Sequence, residues 1–323
     1  MTNGNQVDTS KIDTSETVTQ SRPRIVAVSG AGGLIGASVV ERLKAKGGTV
    51  VRLVREAPKS AVSEVQWSAD GGLINSSRLE GVYGVVHLAG ESIAGSRWTA
   101  DKKRRILDSR VKGTTSLCRS LAALHRKPRV LVCASAIGYY GDRGDEVLDE
   151  TSSPGHGFLP DVCREWEAAT GSAAEAGIRV VNIRIGVVIS KHGGALEKML
   201  LPFKMGVGGK VGSGRQYWSW VALTDVAGAI LHALDREDLS GPVNAVSPHA
   251  VTNAQFTKAL GEVLHRPAVL PMPAFAARLA LGEMANDLLL ASAHVVPKRL
   301  QDAGYEFQLP DLRGCLMHEL YGP

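Results

Sequence analysis

The chain has 323 residues, 44% of them hydrophobic and 21% charged, which excludes a wholly disordered chain, a collagen-like repeat and a coiled coil. Its length lies just beyond the point where a single core stops growing, so one large domain, alone or with a smaller lobe, is expected. Lys and Arg outnumber Asp and Glu by 37 to 32, a formal net charge of +5, which suits anionic small molecules and makes no case for nucleic acid.

Residues 1–22 are rich in Ser, Thr, Asn and Gln and contain no apolar stretch of the signal-peptide type. They are expected to be a disordered tail. Order is predicted from Arg24, where Ile25–Val28 forms a short buried strand. The turn Gly30-Ala31-Gly32-Gly33-Leu34-Ile35-Gly36 follows. A helix with apolar Leu34, Ile35, Val39, Val40 and Leu43 then runs to Gly47-Gly48, and Val50–Val54 is a second strand. Strand-like runs recur at Val62–Trp67, Val82–Leu88, Val130–Ala134 and Val180–Ile189, with helices predicted over Ala100–Leu124 and Asp161–Ala176. This alternation predicts an α/β fold: a doubly wound parallel sheet with helices on both faces. From Lys191 the composition changes. The glycine-dense stretch 206–214 must be a loop, and the residues after Thr252 look mostly helical. They are expected to form a smaller lobe over the C-terminal edge of the sheet, where ligands of such folds bind.

Cys118, Cys133, Cys163 and Cys315 lie far apart, and no histidine pair has ligand spacing. No metal and no disulfide framework are expected, and reduced thiols point to a cytoplasmic protein. The apolar stretch Ala268–Leu281 is broken by Pro271, Pro273 and Arg278 and is too short to span a bilayer, so no membrane association is expected. The charge run Asp101–Arg105 is read as the solvated face of a helix.

The strongest motif is Gly30-x-x-Gly33-x-x-Gly36 between strand and helix. Gly30 permits the tight turn, Gly32 and Gly33 let backbone approach a pyrophosphate, and Gly36 allows close helix–sheet packing. The amides at Leu34 and Ile35 then face the anion. Just past the second strand stands Arg55, where an acid would bond the ribose of NAD. A guanidinium there suits the 2′-phosphate of NADP(H), although Glu56 is its neighbour. Leu88-Ala89-Gly90 ends the fourth strand-like run, where small residues let the chain pass beneath adenine and ribose.

Together these residues resemble the extended short-chain dehydrogenase/reductase superfamily. Leu88-Ala89-Gly90-Glu91-Ser92-Ile93, Arg97-Trp98-Thr99, Ser109-Arg110 and Ser135-Ala136-Ile137-Gly138-Tyr139-Tyr140-Gly141 narrow the match. So do Trp166-Glu167, Arg184-Ile185-Gly186, Gly212-x-Gly214-Arg215-Gln216-x-Trp218-Ser219-Trp220, and Pro271-x-Pro273, Gly282-Glu283-Met284 and Pro297-Lys298-Arg299-Leu300 near the end. Over residues 24–322 the chain is similar to epimerase-family proteins of the SDR39U1/YfcH type, sometimes labelled SulA-like cell-division inhibitors. The resemblance implies an NADP-binding Rossmann domain over 23–190 with 222–247, and a small lobe over 191–221 with 248–323. It extends the cofactor contacts to Leu88, Ala89, Gly90, Glu91, Arg110, Ser135 and Arg184.

One departure matters. The superfamily's Tyr-x-x-x-Lys pair falls on Leu159 and Cys163, neither of which can exchange protons in the usual way. The nearest phenols are Tyr139 and Tyr140. At least one faces the nicotinamide as a proton donor, or both are packed with satisfied hydroxyls. Ser135 either orients a substrate or caps a turn. Arg97, Trp98, Gln216 and Trp218, with Trp220, either line the substrate pocket or belong to a surface loop and a small-lobe core. Glu165 and Glu167 read as exposed helix carboxylates, and Asp225 as a helix N-terminal residue. Two functions fit: an NADP(H)-dependent oxidoreductase on a small carbonyl or alcohol, or a catalytically weak NADP(H) sensor acting through a regulatory protein partner. A homodimer is compatible with both.

Overall fold

The computed structural model describes Met1 and residues 24–69, 71–73 and 75–322; the expected tail falls outside them. The first half alternates strand and helix: β1 (Ile25–Ser29), α1 (Leu34–Ala45), β2 (Thr49–Val54), β3 (Glu64–Ser68), β4 (Gly72–Leu73), β5 (Gly84–His87), α2 (Ala100–Ala122) and β6 (Val130–Ala136). After β7 (Val147–Leu148) come α3 (Phe158–Ala168), α4 (Gly171–Glu175), β8 (Arg179–Ile185), β9 (Val187–Ile189), α5 (Gly194–Lys204), β10 (Tyr217–Trp218), β11 (Trp220–Ala222), α6 (Leu223–Asp235) and β12 (Gly241–Ala245). The end of the chain holds β13 (Val251–Thr252), α7 (Asn253–Leu264), α8 (Ala274–Leu281), β14 (His294–Val295), α9 (Lys298–Asp302) and α10 (Leu312–Tyr321).

Eight strands form one sheet in the order β12-β8-β6-β5-β1-β2-β3-β4. Every pairing in it is parallel except β3 with β4. Strand alternation sends side chains to opposite faces. Val26, Val28, Val130, Val132, Val181 and Ile183 meet Val39 and Leu43 of α1 and Val226–Leu234 of α6. Ala27, Leu131, Cys133 and Val180 meet Leu117 and Leu121 of α2, Trp166 of α3 and Ala173 of α4. The order turns back between β1 and β5, which opens a crevice at the C-terminal ends of these strands.

A separate apolar core joins α5, α7 and α10. Leu196, Phe203, Trp218, Trp220, Phe256, Leu260, Leu312 and Leu316 fill it. Residues 297–309, expected in the smaller lobe, return to the large sheet: Leu300 and Ala303 pack in the α1–α6 core. The expected strand Val180–Ile189 divides at Gly186, and β9 pairs with β11 instead of joining the sheet. A Cβ on Gly186 would lie 2.8 Å from Val246 Cγ1, so only glycine lets the chain bend there. All four cysteines are free and buried. Among the described residues no helix is long and apolar enough to cross a membrane.

Candidate functional site

The glycine turn has the geometry its spacing predicts. Gly30 sits at φ +67°, and a Cβ there would lie 2.8 Å from the Leu88 carbonyl carbon. A Cβ on Gly36 would run into the Gly30 carbonyl oxygen, so α1 can start hard against β1 only with glycine at that place. Gly33 caps α1 without any side-chain hydrogen bond. Gly32 and Gly33 are exposed, and Leu34 and Ile35 half-buried. The first-turn amides therefore present a positive helix end to an external acceptor.

Two arginines flank this turn. Arg55 stands exposed just past β2, where its carbonyl accepts from Gln66 Nε2 at 3.3 Å and its guanidinium has no hydrogen-bond partner among the described residues. Arg52, which the sequence reading passed over, lies on β2 opposite Val28. Its Nη2 comes within 3.8 Å of where a Cβ on Gly32 would stand, and its Nη1 is 3.7 Å from Glu64 Oε1. The signal was available in the parallel pairing, which sets Arg52 beside the last residues of β1.

Ser29 and His87 tie the two strand ends together. Ser29 Oγ accepts from the Leu88 and Ala89 amides at 3.1 and 3.3 Å and lies 2.7 Å from His87 Nδ1. With both amides pointing at Oγ, its own proton goes to the ring. Burial pushes the His87 pKa down to about 4, which keeps the imidazole neutral.

Glu91 and Arg110, expected among the cofactor contacts, support the next turn from behind. Arg110 Nη1 donates to the Glu91 carbonyl at 3.0 Å and to the Ile106 carbonyl at 3.1 Å. The guanidinium lies over the Trp166 ring, 4.9 Å from its centroid, and 3.4 Å from a Cβ placed on Gly90. The Glu91 carboxylate takes Lys102 Nζ at 2.6 Å, which holds its pKa below the usual carboxylate range. Lys102 is 5% exposed, so the charge run of α2 is not wholly solvated: one member is an internal partner.

Leu159 and Cys163 stand one turn apart on α3, both buried. They pack on the end of β6: a Cβ on Gly138 would lie 3.3 Å from Leu159 Cβ and 3.8 Å from Cys163 Sγ. Burial pushes the Cys163 thiol up to about 12. Apolar packing fills the helical face where a proton-exchanging pair would stand.

Beside it lies a buried ion pair. Arg184 Nε and Nη2 each donate to Glu167 at 2.8 Å, Arg184 Nη1 donates to the Tyr140 hydroxyl at 2.9 Å, and Ser135 Oγ donates to Glu167 Oε1 at 2.7 Å. The Arg184 side chain is 3% exposed and that of Glu167 13%. The Glu167 reading is thereby corrected: it is no exposed helix carboxylate, and it pairs with Arg184, because a buried charge needs pairing. Glu165 is exposed, as expected.

The two tyrosines separate. Tyr140 is fully buried, its hydroxyl 2.8 Å from Asn244 Oδ1 and 2.9 Å from the Asp149 carbonyl oxygen. Burial pushes its pKa up to about 12, so it is a packed phenol with a satisfied hydroxyl and not the expected proton donor. Tyr139 is half-buried, with no side-chain hydrogen bond among the described residues. The Arg184 guanidinium lies over its ring, 3.5 Å from the centroid.

The expected substrate wall divides as well. Gln216 is 7% exposed, and its Nε2 donates to the Val211 and Leu289 carbonyls at 3.0 and 2.9 Å. Trp218 packs on Phe256 in the core of α5, α7 and α10. Both serve packing, as does Trp220, whose Nε1 donates to the His249 carbonyl at 2.9 Å. Trp98 meets Phe158 edge-on at 5.1 Å and donates to the Ile93 carbonyl at 2.8 Å. Arg97 reaches the carbonyls of Leu279 and Ala280 at the end of α8. It clasps the loop before α2 to the C-terminal region.

A model of the NAD dependent epimerase/dehydratase family matches residues 26–246. A second model, described as a domain of unknown function (DUF1731), matches residues 272–319. The epimerase family protein Mb2239 of Mycobacterium bovis is 42% identical over 283 residues, 88% of this chain and 93% of that protein. The chloroplastic SDR39U1 homolog of Arabidopsis thaliana is 37% identical over 300 residues, 90% of this chain and 85% of that protein. Among solved structures, human epimerase family protein SDR39U1 (isoform2) with NADPH matches with a TM-score of 0.84 at 31% identity, covering 91% of this chain and 98% of that one. With the sheet order, the glycine turn and these likenesses in agreement, the chain belongs to the NAD dependent epimerase/dehydratase family, among its SDR39U1-type proteins.

Proposed function

We propose that the protein binds NADP(H) at the glycine turn and is an oxidoreductase acting on a small carbonyl or alcohol. The similar human protein crystallised with NADPH supports the cofactor, and so does the cradle itself. Side chains at Gly30 or Gly36 would close it, and the open N-terminus of α1 suits a pyrophosphate. Arg55 and Arg52 would take the 2′-phosphate, and Leu88–Gly90 would pass beneath the adenosine. When bound, the nicotinamide supplies or takes up the hydride.

The protein's own part is the proton. The observation that carries this reading is Tyr139: a phenol at the end of β6 with its hydroxyl unengaged among the described residues and a clamped guanidinium on its ring. Arg184, lying over the ring, fixes the orientation of the phenol. Glu167 fixes Arg184, and Ser135 fixes Glu167.

A second reading, a nucleotide-responsive module acting through a protein partner, is favoured by the apolar filling at Leu159 and Cys163. One set of titrations separates the two. Binding of NADPH and NADH is measured calorimetrically, and NADPH consumption is followed over a panel of small aldehydes and ketones. NADPH should bind at least about tenfold more tightly than NADH, and Arg55→Ala should remove most of that preference. Tyr139→Phe should keep cofactor affinity and cut turnover by about a hundredfold. Binding without turnover of any carbonyl would favour the second reading. Binding of neither nucleotide would overturn both.

A further inference from the structure

Away from the glycine turn and the strand ends, α7 gives way at His265 to residues 266–271, which run beside 206–210 through the Leu270 amide to the Gly208 carbonyl at 3.2 Å. Between α7, this segment and Arg313 of α10 lies a groove of 910 Å³. Its charge is one-sided. Lys210, Lys258, Arg266 and Arg313 line it together with His265, against the single carboxylate of Glu262. In a chain whose formal excess is +5, four permanent cations facing one carboxylate concentrate much of that excess on one groove. Lys210 and Arg313 are exposed and make no ion pair among the described residues. Arg266 is already held, with Nε on the Lys204 carbonyl at 3.1 Å and Nη1 on the His265 carbonyl at 3.2 Å. Ordering it on binding costs little.

Two further features select the ligand. Val269, 75% exposed, lines the groove with Pro267 and Pro271, so an apolar strip accompanies the cations. Thr257 also lines it, is 4% exposed, and has a buried hydroxyl without a hydrogen-bond partner. A buried polar group left so is costly, and a polar atom entering the groove would relieve it. A small inorganic anion would use the cations and leave the apolar strip bare. No Trp, Tyr or Phe lines the groove, so bases would find no stacking platform.

We propose that this groove is a docking site for an acidic peptide segment of a partner protein that also carries apolar side chains. Its carboxylates would meet Lys210, Arg266 and Arg313, its apolar side chains would cover Val269, and a backbone polar group would reach Thr257. The site is independent of the reaction proposed above, and its test needs no turnover.

The test is fluorescence anisotropy with a labelled dodecapeptide of repeating Asp-Glu-Leu. Control peptides carry Lys for every acid or Ser for every Leu, and oligouridylate and inorganic phosphate are further probes. Expected are saturable, salt-sensitive binding and a roughly tenfold or greater loss for K210E/R313E, whose thermal unfolding should match that of the unsubstituted protein. The Leu-to-Ser peptide should bind more weakly, and V269S should weaken the Leu peptide alone. Equal binding to K210E/R313E, or none up to about 1 mM peptide, would overturn the proposal. So would tighter binding of oligouridylate than of the acidic peptide. Indifference to the Leu-to-Ser change, with full displacement by phosphate, would reduce the groove to an ion site and overturn the peptide reading.

Discussion

His87 shows how a titratable residue can serve by staying neutral. Its pKa falls from the ordinary 6.5 to about 4 because the ring is buried, so protons bind preferentially to the unfolded chain. The stability it contributes is full above about pH 6.5 and is lost as the pH falls toward 4. Between about pH 7 and pH 4.5 that loss is about 2–3 kcal/mol. Glu150 titrates in the opposite sense, since burial raises its pKa, but it is common to both chains in a comparison with His87→Gln. Urea unfolding at the two pH values should show the wild type losing about 2–3 kcal/mol more than the variant. Equal losses would free His87 of this role. The sequence pattern places His87 only within the strand-like run Val82–Leu88, because a partner 58 residues away, Ser29, decides what the ring does. The same holds for Glu167, whose partner Arg184 lies 17 residues away. A helix carboxylate looks solvated until a neighbouring strand supplies its guanidinium.

At the scale of elements, the β1–turn–α1 unit is the most legible part of the chain. Its strand, turn and helix fall where the pattern places them, since each is fixed by residues within a few positions of each other. Gly36→Ala tests how hard that packing is. The added Cβ would meet the Gly30 carbonyl, and overpacking against rigid backbone should cost about 2–3 kcal/mol and weaken nucleotide binding. Gly47→Ala, at φ +77° with open space around it, should cost about 1–2 kcal/mol from the backbone alone and spare binding. Chemical denaturation of the two variants gives the comparison, and equal costs would deny the close approach. Other boundaries were harder to read. The expected helix from Asp161 begins at Phe158, since Pro160 in a first turn removes an amide that has no intrahelical partner anyway. β12 carries Gly241 and Pro242 at its start and lacks a clear strand pattern, yet pairing with β8 makes it a sheet strand.

For the whole molecule, Asp225 joins the end of the chain to the sheet. It is 1% exposed in the first turn of α6, and its carboxylate accepts the Gln308 and Leu309 amides at 2.7 and 3.0 Å. The Tyr305 hydroxyl donates to its carbonyl at 2.9 Å, over a bare Gly228 that leaves room for the ring. Removing the carboxylate leaves the Gln308 and Leu309 amides without their partner at a half-buried site. Asp225→Ala should therefore cost about 1–3 kcal/mol and open residues 297–309 to limited proteolysis, with Asp225→Asn losing less. Protection unchanged in the alanine variant would show that packing of Leu300 and Ala303 suffices.

By itself the sequence determined the α/β class, the parallel sheet, the glycine turn and the arginine that follows it. Those features depend on periodicity and on residues close in the chain, where backbone sterics and side-chain alternation act directly. Read with the family resemblance, it also implied, through Leu159 and Cys163, that the usual proton-exchanging pair is missing. Only the tertiary structure decided which of two adjacent tyrosines is locked in the core and which keeps its hydroxyl unengaged among the described residues. It likewise turned Gln216 and Trp218 from pocket wall to packing, paired Arg184 with Glu167, and gathered Lys210 and Arg313 at one groove. The physical reason is common to all four. Burial and hydrogen-bond partners are properties of neighbours distant in sequence, and they decide whether a polar group is spent on the fold or left available for a ligand.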